Sequence, residues 1–592
     1  DANKTVGLVG DITNEGTIHL RPTGTSRSTI GIGLTGTLAN SVSGGGELVL
    51  GDAALSSVSD PRLSVASGAP NNMSFTLNDQ TLRGFGVVGF NQSDSREMLL
   101  TNNGSIRADV NGKTLAFVPN TLTNSPGKVI RATGGGVAYF NPVSLTNTGA
   151  TLRAESASKV TFDGNMVLIG GMVETQSGGT MEFMRQFTAQ GGVIFSNAGT
   201  ALFGTSNGNV TFEGLANGGS SFINAGTMRK TGTGEYILRT ALNSTGAINV
   251  ESGVMRNFGG GTIANGSFAT SAGADLTFQG SPSYSFSGIN LFTGEGMPAI
   301  ADTTTLLADA NTELRTNHFR LYNATLSGPG LLSHTGQLHF YPATSNTISG
   351  SRMETKSGGT ASVEVFYYAP LNLTNGAKWD NHGTILFPDA GWRPELIGAD
   401  GTEIIIHPDG VLRGDDSEYS VLRIATQNRG RIEAARGRTL LGKATVWTAG
   451  TAAISTGAEL LIENSSMTLN GTANTSTGAG WLQVVGSGSL VLPAGSRLTA
   501  DRVGFWDTSS ISDPGELRVQ YAAQWNVPAN VTHVINGTQV NLLSTSVNQF
   551  VGTNRTLRLQ NGARMQNAGT MNFNAAIQLK LESNSIYENA GT

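Results

Sequence analysis

The sequence predicts an all-β chain wound as a parallel β-helix of roughly 25 coils, and three observations predict it. First, a corner phrase recurs. Asn-Ala-Gly-Thr stands at Asn197–Thr200, Asn224–Thr227, Asn567–Thr570 and Asn589–Thr592. Variants occupy Asn14–Thr17, Asn102–Ser105, Asn381–Thr384 and Gln427–Gly430. Second, neighbouring full copies begin 27 and 22 residues apart, at positions 197, 224, 567 and 589. That period is too short for a sandwich domain and suits one coil of two or three strands. Third, the phrases between corners alternate apolar and polar residues with period two, as in Thr384-Ile385-Leu386-Phe387.

Each residue of the tetrad has a mechanical reading. Asn and Gly accept left-handed backbone angles, so Asn-x-Gly is expected to turn the corner. The β-branched Thr then opens a strand. Phe195 and Phe222, two residues before their asparagines, are expected to point inward. The corner asparagines are expected to stack as side-chain ladders. Asn197, Asn224, Asn567 and Asn589 are expected at equivalent turns.

In chain order, residues 1–290 read as regular solenoid, least regular at 51–75 around Pro61 and Pro70. A joint is expected within 290–320, where corners thin out near Pro298, and 291–387 continues the solenoid. The best helical window, a weak one, is Thr303–Arg315. Residues 388–440 hold Pro388, Pro394 and Pro408 and a dense set of charges. Proline cannot donate to a central ladder, so an irregular or inserted region is expected there. Residues 441–592 return to solenoid with an uncapped C-terminal end. Such an edge would favour continuation or self-association along the axis.

Composition bounds the function. The chain has 592 residues, too many for one globular core but not for a core that grows along one axis. Charged residues are 13% and glycines number 80, yet Val, Ile, Leu and Phe recur too regularly for disorder. The net charge of −5 and the lack of a basic run argue against nucleic acid. No apolar run is long enough for a membrane-spanning helix. Cysteine is absent, so disulfides do not hold the fold. The chain opens on Asp1 and reads as processed or trimmed.

The phrases TNNGSIRADVNGKTLAF, TNTGATLRAES and GGMVETQSGGTMEF, from Thr101, Thr146 and Gly170, resemble the β-strand-repeat surface proteins of Gram-negative bacteria. These are the autotransporter passengers and filamentous-haemagglutinin-like adhesins. The resemblance implies a right-handed helix, export to the cell surface, and a structural or adhesive role, here in a fibre or filament. One strand layer per coil gives an expected rod of about 120 Å.

The enzyme alternative is a polysaccharide lyase or glycoside hydrolase on the same fold. Hydrolysis needs two carboxylates at a fixed separation. The only dense acidic group is Asp400, Glu403, Asp409, Asp415, Asp416 and Glu418. Asp415-Asp416 lacks the companion phrases of pectin-type hydrolases, and the group reads as a solvated loop. His382 and His407 read as turn residues. Gly44–Gly46, Gly134–Gly136 and Gly259–Gly261 read as turns, because no Lys-Ser/Thr follows them. Trp392 is the best candidate for stacking a glycan, against buried packing for the six tryptophans as a group. The sequence therefore assigns no catalytic, cofactor-binding or metal-binding residue and no cofactor. It predicts a non-enzymatic protein, outside the cell or at its surface, with glycan or cell-surface contact as a possible partnership.

Overall fold

Strands repeat in threes. Thr151–Ala154 pairs in parallel with Met172–Thr175, three strands on. Met172–Thr175 then pairs with Ile194–Asn197, and that with Ser221–Asn224. A parallel ladder with three strands per turn is a β-solenoid. The computed structural model contains about 24 such turns, 61% strand and, among the described residues, no helix. It describes residues 5–20, 28–33, 38–51, 61–66, 69–70, 72–89, 98–204, 208–214, 219–280, 283–341, 345–364, 369–389, 393–526, 528–551, 555–574 and 576–592. Two compact units divide the chain, Asp1–Pro298 and Ala299–Thr592.

In the first unit the alternation of each strand becomes a column. Phe117, Phe140, Phe162, Phe183 and Phe203 are register partners on successive turns. Their rings stack at 5.2, 5.7, 5.3 and 5.3 Å, tilted by 22° or less. A second side buries Phe195 over Phe222, 5.8 Å apart and 8° from parallel. Both phenylalanines point inward, as expected. Offset stacking of this kind adds about 0.5–1.5 kcal/mol per pair beyond the area buried.

The asparagines stack as well. Asn102 Nδ2 donates to Asn124 Oδ1, and Asn124 Nδ2 to Asn147 Oδ1, each at 2.8 Å. Asn197 Nδ2 donates to Asn224 Oδ1 at 2.7 Å, and Asn224 Nδ2 to Ser244 Oγ at 3.0 Å. In the second unit Asn567 Nδ2 reaches Asn589 Oδ1 at 2.7 Å. Nearly all these amides are buried, so each ladder bond satisfies groups that water cannot reach.

The tetrads do not share one corner. Asn102 ends Met98–Asn102, whose ladder runs through Met73–Leu77 and Thr121–Asn124. Asn197 ends Ile194–Asn197, on a different side of the same solenoid. In the second unit Asn381 and Asn567 likewise end strands of different ladders. The phrase fits more than one corner because every corner makes the same local demand.

The glycine's role also differs from expectation. Gly199 and Gly226 are not left-handed. A Cβ on Gly199 would lie 2.2 Å from Gly179 O, and one on Gly226 the same distance from Gly199 O. Successive corners stack backbone on backbone, and a side chain has no room. Left-handed angles belong to other turns, such as Gly178 at φ +80° and Ala157 at φ +59°. Thr200 and Thr227 do open strands, as predicted.

The described residues of 388–440 are not irregular. Glu395–Gly398, Glu403–Ile406, Val411–Gly414, Tyr419–Arg423, Ala425–Asn428, Arg431–Ala434 and Arg438–Leu441 all pair in register. Pro388, Pro394 and Pro408 fall between strands, where no ladder hydrogen bond is lost. The departures lie elsewhere. Glu313–Tyr322 pairs with Leu331–Tyr341, and Arg497–Trp506 with Glu516–Asn526, through register shifts at Thr316/His318 and Ala500/Arg502. In these strands of 10 and 11 residues, two sides of a turn fuse across a bulge. The helical window Thr303–Arg315 instead contributes Thr305–Ala308 and the start of Glu313–Tyr322, both strands.

Candidate functional site: an outward groove in the second unit

Strands on one side of the second unit break the alternation rule. Tyr419–Arg423 reads YSVLR, and Ser420, Val421 and Leu422 are all buried. Ser420 and Leu422 face the core, so Val421 faces outward. Its register partners along the ladder are Glu395, Leu440, Leu461, Gln483 and Gly504. Val421, Leu440 and Leu461 form an apolar cluster of their own, only 6–7% exposed, with Tyr419 and Val485 packed against it. This column is the floor of a groove on the outside of the solenoid that neighbouring side chains fill, since every member of it is buried.

One edge is a column of large side chains. Tyr419, Arg438, Glu459 and Trp481 are successive register partners. The guanidinium carbons of Arg393 and Arg438 lie 4.6 and 5.3 Å from the Tyr419 ring centroid. Arg438 Nε donates to Glu459 Oε2 at 2.8 Å, and its Nη1 to the Tyr419 hydroxyl. Gln483 Nε2 donates to Glu459 Oε1 at 2.9 Å. The Arg502 guanidinium carbon lies 6.0 Å from the Trp481 centroid. A cleft of about 370 Å³ opens beside this edge, lined in part by Arg393, Tyr419, Arg438 and Glu459.

Trp506 stands beyond the floor at Gly504. A Cβ on Gly504 would lie 3.1 Å from Trp506 Nε1, so the missing side chain leaves room for the indole. That Nε1 and Arg502 Nε have no hydrogen-bond partner among the described residues. At the other end, burial raises the Glu395 carboxyl pKa, against the pull of Arg423 at 2.8 Å.

No protein-family model, curated protein or solved structure matches the chain.

The acidic group from the sequence is dispersed among partners. Asp416 is buried, and its Oδ1 accepts the Glu418 and Tyr419 amides at 2.8 and 2.9 Å, closing a turn. Asp415 lies 3.3 Å from both Arg413 Nη2 and Arg436 Nε. Glu418 pairs with Arg393 at 3.1 Å, and Glu403 with Lys378 at 2.6 Å. Asp409 meets His382 at 3.0 Å, and Asp400 reaches Lys443 at 3.6 Å. Of this group Glu418 is the one that lines the cleft, among the described residues. The two turn histidines stack on each other, 3.8 Å between centroids, and His407 Nε2 meets Asp380 at 3.2 Å.

Among the tryptophans, Trp379, Trp447 and Trp525 are buried in the core. Trp392 lies outside the described residues. Trp481 and Trp506 are half-buried on the outer face. The groove itself was not read from the sequence. Its signal was the run of three apolar residues where alternation allows two, as in Leu460-Leu461-Ile462.

Proposed function

We propose that this protein is an extracellular structural or adhesive solenoid, a component of a fibre at a bacterial surface. The observation that supports this most is the continuity of side-chain ladders within a unit. Rings stack on rings and amides on amides, turn after turn, which suits a scaffold under mechanical load. The acids considered for catalysis serve as ion-pair partners or turn closures. In this reading the axial partners are further coils or further copies, and the outer faces carry the contacts.

Electron microscopy of the native material tests the reading. Filaments much longer than about 120 Å, the length that the roughly 25 coils predicted from the sequence would span at the strand spacing, are expected. Short particles of uniform length would overturn it. So would polysaccharide turnover by the purified protein that disappears in Asp415→Ala or Asp416→Ala.

A further inference from the structure

We propose that Asn375 is a site of spontaneous modification, where the chain converts its own asparagine to aspartate and isoaspartate through a cyclic imide. The reaction is fastest where glycine follows asparagine, since the missing side chain lets the glycine nitrogen reach the amide carbon. Among the described residues Asn-Gly stands at 103, 111, 265, 375, 470, 536 and 561. All but one of these glycine nitrogens are held. Gly104 donates to Asn102 Oδ1 at 3.2 Å, Gly266 to Asn290 Oδ1 at 2.9 Å and Gly471 to Ser496 Oγ at 3.1 Å. Gly112, Gly537 and Gly562 donate to the carbonyls of Gly135, Gln560 and Ser583 at 3.0, 3.0 and 2.9 Å. Gly376 donates to no group among the described residues. The cause lies one turn on. Asn375-Gly376 and Asn561-Gly562 make the same left-handed corner, at φ +54° and +74° against +55° and +75°. Counting on from the register partners Leu559/Leu581 and Leu373/Gly398 brings Ser583 opposite Asn561 and Asp400 opposite Asn375. Ser583 is left-handed and turns its carbonyl to Gly562, whereas Asp400 is not left-handed.

The chemistry uses only water. The Gly376 nitrogen gives its proton to solvent and bonds to the Asn375 side-chain carbon Cγ. The Cγ–Nδ2 bond breaks, and Nδ2 leaves as ammonia. Ser349 Oγ lies 2.7 Å from Nδ2, so its hydroxyl is placed to pass the leaving nitrogen a proton and recover one from water. Water then opens the imide ring at either carbonyl, giving aspartate or isoaspartate. Asn375 and Gly376 are exposed, and a Cβ on Gly376 would meet nothing within 4 Å, so the turn has room for the ring. The strands on either side, Leu371–Thr374 and Lys378–Asn381, end before the turn and begin after it. The outer surface gains one negative charge at a fixed rung.

Peptide mapping of the full chain by mass spectrometry, during incubation in mildly alkaline buffer, provides the test. Asn375 should convert about tenfold faster than each of the other Asn-Gly sites named above, the factor that freeing one backbone hydrogen bond gives. In denaturant the rates should converge, because the difference comes from the fold. Asn375→Gln should abolish conversion at this position and leave the other sites unchanged, and Ser349→Ala should slow it. Equal rates in the folded chain, a faster rate at any of the other named sites, or a ranking that survives in denaturant would overturn the proposal.

Discussion

Lys230 takes the place of a sixth phenylalanine beyond Phe203. The two are register partners, and both are buried. Where the ring column stops, the ammonium donates to the carbonyls of Thr231, Gly232 and Ser252 at 2.9, 2.8 and 3.2 Å. No carboxylate among the described residues pairs with it. The stem continues the apolar column while the head closes a turn that would otherwise bury bare carbonyls.

Substitution at this position separates packing from polar satisfaction. Lys230→Met keeps the stem but takes the ammonium from the three carbonyls, of which Gly232 O keeps the Ser252 hydroxyl at 2.9 Å, and the loss should cost about 1–3 kcal/mol. Lys230→Phe extends the ring column and should also destabilise. Urea unfolding read by hydrogen exchange at Thr227–Lys230 measures both. Stabilisation by Phe would show that packing alone decides.

His334 makes the second unit acid-sensitive. It is buried beside Thr355, whose hydroxyl lies 2.9 Å from the Trp379 Nε1 donor and 3.0 Å from His334 Nε2. The hydroxyl accepts from Trp379 and donates to Nε2, leaving Nδ1–H for Gly336 O at 3.3 Å. Burial pushes the His334 pKa down to about 4. The folded form therefore holds fewer protons than the unfolded one between about 6.5 and 4. Stability should be intact above pH 6.5 and fall by about 3 kcal/mol as the pH drops to 4. His533, whose pKa burial also lowers, adds a loss of the same sign. Denaturant unfolding at pH 7 and 4.5 should show a smaller difference in His334→Gln than in the wild type.

The two kinds of glycine should respond differently to alanine. Gly226→Ala places a methyl carbon 2.2 Å from Gly199 O, and that oxygen is fixed by its own ladder. Overpacking against backbone should cost at least about 2–3 kcal/mol. Gly457 has φ +80° with nothing within 4 Å, so Gly457→Ala should cost about 1–2 kcal/mol of backbone strain alone. Comparable losses in thermal or urea unfolding would contradict the distinction.

The amide ladder gives a prediction with a pH signature. Asn224 Oδ1 accepts from Asn197, and its Nδ2 donates to Ser244 Oγ and, at 3.1 Å, to Ala247 O. Asn224→Ala should cost about 1–3 kcal/mol. Asn224→Asp should cost more at pH 7, because a buried carboxylate would face that carbonyl. Burial would raise the new carboxyl's pKa, so stability should recover as the pH falls through it. Hydrogen exchange at Ser221–Asn224 would register both, and a pH-independent loss in the Asp variant would contradict the ladder geometry.

The sequence made the rungs legible because period-two strands and the Thr that opens them are local properties. Phe195 and Phe222 could be placed inward from their neighbours alone. The glycine's role was not legible, since the steric limit at Gly226 comes from Gly199, on the preceding turn. Nor was the regularity of 388–440, because a proline count does not say which prolines fall between strands. Fused strands were hidden for a similar reason: a bulge at Thr316/His318 has no composition of its own. The groove escaped notice because Val421 and Leu440 lie 19 positions apart in the sequence and one rung apart in the ladder.

The direction of the asparagine ladder carries a last consequence. Asn102 Oδ1 accepts the Gly104 amide, Asn102 and Asn124 each hand an N–H to the next asparagine oxygen, and Asn147 ends the run on the Ala150 and Met172 carbonyls. All links are the same link. If residues 103–124 were excised, Asn102 would stand where Asn124 stood and donate to Asn147 instead. Whole turns can therefore be gained or lost by duplication and deletion without inventing a contact, whereas a fraction of a turn cannot. For such a lineage, length is an inherited variable that selection can adjust in steps of one rung.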